Sequence, residues 1–130
     1  MIYEFRTYDL FPGNMPKYEA SLTDSLSAGR LDHSDLFAYF YTEFGPLNQA
    51  LHIWPYESLD ARQAIREETT GITGWPPATG AMLDGQAADI YFPAPFNDES
   101  ITGAHGPFYE LRTYTYATGE TPAVIDRWGK

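Results

Sequence analysis

The sequence contains no cysteine. That single absence removes disulfide frameworks, thiolate catalysis, Cys-ligated zinc and iron–sulfur clusters together. It also fits a reducing compartment, so a cytoplasmic location is the expectation. Positive charge is scarce too: 8 Lys and Arg stand against 18 Asp and Glu, a formal charge of −10 over 130 residues. The basic residues sit singly from Arg6 to Lys130. A surface this acidic repels phosphate backbones and anionic membranes, which argues against any nucleic-acid partner. No apolar run reaches the ~18 residues of a membrane span, and no basic segment followed by an apolar stretch opens the chain. Neither a span nor a secretory leader is expected.

What the chain has in quantity is aromatic: 10 Tyr, 8 Phe and 3 Trp. That surplus predicts a packed, aromatic-lined interior and opposes disorder, and the length suits one hydrophobic core. Residues 2–10 alternate aromatic, charged and β-branched types and close at Phe11-Pro12-Gly13-Asn14, which reads as a strand and a turn. From Met15 the period changes. Met15, Tyr18, Leu22 and Leu26 recur at helical spacing over residues 15–28, with Asn14 as N-cap, Pro16 in the first turn and Gly29 as the stop. Residues 36–43 and 48–56 read as a hairpin of two strands. Ser58 caps a second helix over about 59–68, residues 71–85 read as a long irregular connection, and residues 86–92 as a strand ended by Pro93. The order is β-α-β-β-α-β. It predicts an α+β, ferredoxin-like fold: a four-stranded antiparallel sheet with two helices on one face.

The tail repeats the head. At an offset of 106, residues 2–22 and 108–128 share seven identities in 21 positions, including Tyr3/Tyr109, Glu4/Glu110, Arg6/Arg112, Tyr8/Tyr114 and Pro16/Pro122. The chain is therefore read as one module over 1–104 and a partial second repeat over 105–130. In that second copy, residues 107–116 form an extra strand that should pair with a sheet edge, ahead of a helical stub.

Ile2-Tyr3-Glu4-Phe5-Arg6-Thr7-Tyr8 followed by Pro12-Gly13 resembles the opening of NIPSNAP-family proteins. Tyr41 to Gln49, His52-Ile53-Trp54-Pro55-Tyr56 and Pro93-Ala94-Pro95-Phe96 resemble the same family in the same order. The resemblance implies membership of the dimeric α/β-barrel superfamily, and hence a homodimer or dimer-based oligomer with sheets packed face to face. Longer relatives carry two tandem copies of the module. Other branches of the superfamily are cofactor-free monooxygenases, isomerases and haem-degrading enzymes, so the fold implies no one reaction.

Alternation sorts the strand residues into faces. Glu4, Arg6 and Tyr8 share one face of the first strand, and His52, Trp54 and Tyr56 share one face of the third. The aliphatic Leu51/Ile53 face, with Phe5, is expected beneath the helices. The Glu4/Arg6/Tyr8 and His52/Trp54/Tyr56 sets are then expected on the open side, enclosed by a second sheet. Catalytic candidates are His52 as general acid or base, Arg6 for an anionic oxygen, and Glu4 to orient either. The competing reading makes Glu4–Arg6 a structural pair with His52 satisfied beside it, and the retention of Glu110 and Arg112 in the repeat favours it. Tyr8, Tyr39, Tyr41, Trp54 and Tyr56 are pocket or interface candidates.

Neither His33 nor His105 has a second histidine or a cysteine at metal spacing, so no metal is expected. No cofactor is expected either, although by superfamily analogy His52 or His105 could ligate haem. Gly-rich phosphate loops, a nucleophile elbow and paired glycosidase carboxylates are all absent. Two functions follow: an oligomeric small-molecule-binding or assembly module, or a cofactor-independent monooxygenase or isomerase acting on an aromatic or enolisable substrate.

Overall fold

The structure, a computed structural model, describes residues 1–98 and 102–130. It divides into two compact units, Met1–Phe92 and Pro93–Lys130. The first unit holds strands β1 (Ile2–Leu10), β2 (Ala38–Tyr41), β3 (Gln49–Tyr56) and β4 (Leu83–Tyr91), with helices α1 (Met15–Ser27) and α2 (Leu59–Thr69). The sheet order is β2-β3-β1-β4, and every pairing is antiparallel. This is the expected α+β, ferredoxin-like arrangement, with β1 and β3 in the centre.

Local chemistry explains most boundaries. Ser58 accepts the Ala61 N–H at 3.1 Å and starts α2. Asn14 occupies the N-cap of α1 but in helical geometry, and its side chain donates to the Phe11 carbonyl at 3.0 Å instead of capping. β4 starts three residues earlier than its alternation suggests. Met82 sits in the core, and its carbonyl accepts the Phe11 N–H at 3.0 Å, which draws the chain onto β1 before the polar run begins. β2 is shorter than expected: Ala38–Tyr41 form the ladder with β3, and Phe37 and Thr42 each add a single backbone bond to it at the two ends.

The two sheet faces are reversed relative to the sequence expectation. Ile2, Leu10, Ala50, Trp54 and Tyr56 are buried and pack against Tyr18, Leu22 and Leu26 of α1, Ile65 of α2 and Trp75. Glu4 and His52 lie on this same helix-covered side, at 0% and 2% exposure. The side without helices carries Tyr3, Phe5, Thr7, Leu51, Ile53 and Phe40. Period-two alternation shows which residues share a face but not which face the helices cross, because the pattern looks the same from either side. Both faces are rich in apolar and aromatic atoms, so composition did not break the tie.

In the second unit, residues 107–116 form no strand ladder with the described residues; they lie exposed, outside regular secondary structure. A strand exists only through backbone partners, and no neighbouring strand is present in this unit among the described residues. Helix α3 (Thr121–Trp128) follows. The sequence also reads residues 97–106 as a polar linker, part of which lies outside the described residues.

Candidate functional site

β3 places His52 between Arg6 of β1 and Tyr39 of β2 in the ladder. α1 adds Tyr18 from above, and its hydroxyl lies 2.9 Å from His52 Nε2. The rings of Tyr8 and Tyr39 complete the surround, with centroids 4.8 and 5.4 Å from the imidazole. Burial, with a smaller push from the Arg6 charge, pulls the His52 pKa down from 6.5 to about 4. Burial likewise pushes the Tyr18 hydroxyl upward. At neutral pH this is a neutral imidazole bonded to a neutral phenol. An imidazole with so low a pKa is a weak base, far from the value that suits proton transfer near pH 7.

Beside it lies an ionic group built from β1 and α2. Glu4 Oε1 accepts from Arg6 Nη1 at 3.1 Å and from Arg62 Nη2 of α2 at 2.6 Å. Arg6 Nε donates to the Tyr8 hydroxyl at 2.8 Å. Burial raises the Glu4 carboxyl, but the hydrogen bonds and charges of Arg62 and Arg6 outweigh it and hold the pKa below its usual value. Glu4 Oε2 and Arg62 Nε are buried without a hydrogen-bond partner among the described residues. Glu4 and Arg6 do pair, and Glu4 makes no hydrogen bond to His52 among the described residues.

Trp54 and Tyr56 are core residues at 2% and 4% exposure. The guanidinium of Arg30, itself 3% exposed, lies 4.1 Å over the Trp54 ring and donates to the Tyr56 hydroxyl at 3.3 Å. Tyr39 donates to Glu19 of α1 at 3.1 Å, whereas Tyr41, at 56% exposure, stands clear of the cluster. His33 pairs with Glu68 at 3.2 Å, and His105 Nε2 lies 2.8 Å from the Thr102 carbonyl. Among the described residues no three metal-ligating side chains meet. A shallow groove lined by Ser21, Asp24, Ser25, Gly74, Pro76 and Ala78 contains none of the expected site residues.

Tyr18, Arg30 and Arg62 escaped the sequence reading. A signal existed for two of them. Tyr18 sits in the apolar stripe of α1, where a hydroxyl needs a buried partner. Arg62 stands one turn before Ile65 on the core-facing side of α2, where a cation needs a carboxylate. Nothing local marks Arg30.

The NIPSNAP family model matches residues 3–98, from the second residue of β1 to beyond β4. The chain belongs to the NIPSNAP family. It is 39% identical over 95 residues to a NipSnap homologue of Dictyostelium discoideum, covering 71% of this chain and 42% of that protein. Against human NipSnap homolog 3B it is 30% identical over 132 residues, covering 98% of this chain and 51% of that one. This NIPSNAP chain thus spans about half the length of the curated relatives it matches. A NIPSNAP family protein of unknown function from Agrobacterium tumefaciens superposes with a TM-score of 0.68 at 32% identity, covering 75% of this chain and 91% of that one. A provisionally assigned antibiotic biosynthesis monooxygenase from Nitrosomonas europaea shares the fold alone, with a TM-score of 0.56 and 12% identity over 72% of this chain and 98% of that one.

Proposed function

We propose that this NIPSNAP chain is an assembly module that forms a homodimer through its helix-free sheet face. The observation that carries the reading is that face itself. Tyr3, Phe5, Leu51, Ile53 and Phe40 make it apolar, Tyr3 stacks edge-on with Phe37 at 5.4 Å, and Phe5 meets Tyr91 at 4.6 Å. A sheet covered on one side only must bury its other apolar side against something, and a second copy offers a matching surface under twofold symmetry. The use of Glu4, Arg6 and His52 in internal pairs supports assembly over catalysis. Residues 107–116 then serve as a strand that pairs with a sheet edge once the protein has assembled. The expected setting is the cytoplasm; among the described residues no helix is long and apolar enough to cross a membrane.

The test is light scattering at micromolar concentration. The wild type should run as a dimer, and Phe5→Asp, which puts a charge on the centre of the face, should run as a folded monomer. A monomeric wild type would overturn the reading.

The enzymatic alternative, a cofactor-independent monooxygenase or isomerase, draws on one feature: the His52–Tyr18 pair lies beside the Arg6 cation. It requires that His52→Ala lower a measured rate by about 10²–10⁴ while the fold survives.

A further inference from the structure

Although the chain is strongly acidic, two of its eight basic residues converge on one buried carboxylate and a third stands close enough to feel its charge. Arg6 and Arg62 both donate to Glu4 Oε1. Arg30 is buried on Trp54, its donors go to Ser34 and Tyr56, and no carboxylate lies within ion-pair distance of it among the described residues. Arg66, one turn beyond Arg62 on α2, stands close enough for its charge to bear on Arg30 and on Tyr56. Glu4 therefore answers two arginines directly and lies within the field of Arg30, which leaves positive charge in excess. In a half-buried setting like charges repel strongly, and an anion is the natural complement.

The donors for such an anion exist. Arg6 engages Nε and Nη1, and Arg62 engages Nη2; Arg6 Nη2 and Arg62 Nη1 make no hydrogen bond to the described residues. Each of the two side chains keeps 20% of its surface exposed. Beside them β4 leaves a shelf. Ala88 stands opposite Arg6 and Ile90 opposite Glu4 in the ladder, so both side chains lie on the helix-bearing side, yet both are exposed. The helices cover β1 and β3 on that side and leave this part of β4 bare.

We propose that Arg6 and Arg62, held together by Glu4, bind the carboxylate of a small organic acid whose apolar body lies on the Ala88/Ile90 shelf. The guanidinium fork matches a flat carboxylate, which can take one hydrogen bond from each arginine. Glu4 remains as a fixed negative neighbour, and a singly charged group tolerates it better than a phosphate dianion does. The apolar shelf also offers nothing to a third phosphate oxygen. The site requires neither dimer formation nor catalysis.

The experiment is an NMR titration of the full chain with benzoate, benzamide and inorganic phosphate at matched ionic strength, following the amides of Ala88 and Ile90. Benzoate should shift them saturably, with benzamide and phosphate each about tenfold weaker or more, since losing the charge-assisted bonds is worth at least one decade. Arg62→Gln should weaken benzoate by about tenfold. Removing Arg62 also disturbs buried Glu4, so Ala88→Phe is the second variant: it fills the shelf and leaves all four arginines in place, and it should weaken benzoate by a similar factor. The proposal is overturned if benzoate gives no saturable shift, if benzamide or phosphate binds as tightly, or if Ala88→Phe binds benzoate like the wild type. If Arg62→Gln does not fold, Ala88→Phe decides.

Discussion

Residues 2–22 and 108–128 carry the same short pattern, and the two copies reproduce each other's local geometry. Glu4 and Arg6 pair at 3.1 Å; Glu110 and Arg112 pair at 2.7 Å. Arg6 hydrogen-bonds Tyr8, and Tyr114 occupies the matching position beside Arg112. Gly13 and Gly119 take φ of 86° and 89°, a region open to glycine, and helices start two residues later at Met15 and Thr121, each with a proline in its first turn. The surroundings differ completely. The Glu4 side chain is 0% exposed and lies between β3, β4 and α2; that of Glu110 is 69% exposed. Backbone extension suffices to bring a charge and its partner two residues on to the same side. Only a sheet with helices above it turns that pair into a buried fixture with a second arginine.

The largest expected contrast is therefore Glu4→Ala against Glu110→Ala. Removing Glu4 strands Arg6 and Arg62 without their carboxylate and should cost about 3–5 kcal/mol. Glu110→Ala should leave the melting temperature unchanged. Equal losses would break the comparison.

Acid sharpens it next. His52 must stay neutral in the folded state, where its pKa is about 4, against 6.5 when unfolded. The unfolded chain therefore takes up a proton first, and stability should fall by roughly 3 kcal/mol as pH drops from 6.5 to 4. Glu4 acts in the same direction, since its depressed carboxyl loses its contribution as pH falls below 4.5 through the folded value. Urea titrations across this range should show the loss, and His52→Phe should flatten its upper part.

A smaller contrast is Tyr8→Phe against Tyr114→Phe. The first leaves Arg6 Nε without its acceptor and should cost about 1–2 kcal/mol; the second should leave the melting temperature unchanged. The smallest is kinetic. Amides of residues 107–116 should exchange slowly in an assembled wild type and freely in Phe5→Asp, while those of β1 stay protected in both. Free exchange in the wild-type dimer would show that the tail strand stays unpaired.

Much of the fold was legible because its signals are local. Ser58 before an amphipathic run, the turn at 11–14 and the alternation of 2–10 and 49–56 each involve residues within a few positions of one another. The neighbourhood of Arg6 and His52 followed from the strand order. The occupancy of that neighbourhood did not. Tyr18 reaches His52 across 34 positions and Arg62 reaches Glu4 across 58, and helical periodicity places both residues near a core without naming a partner. The side of the sheet was misread because Phe5, Leu51 and Ile53 make an equally plausible core face.

By itself, then, the sequence determined the element order, the family, and the Glu-x-Arg pairing seen at Glu4/Arg6 and again at Glu110/Arg112. All of these depend on neighbours along the chain. The tertiary structure alone decided which sheet face the helices cover, that Glu4 gathers Arg62 as well as Arg6, and that His52 is held neutral. Those outcomes depend on which distant groups share a water-poor space, because the energy of a charge there is set by what surrounds it rather than by what precedes it.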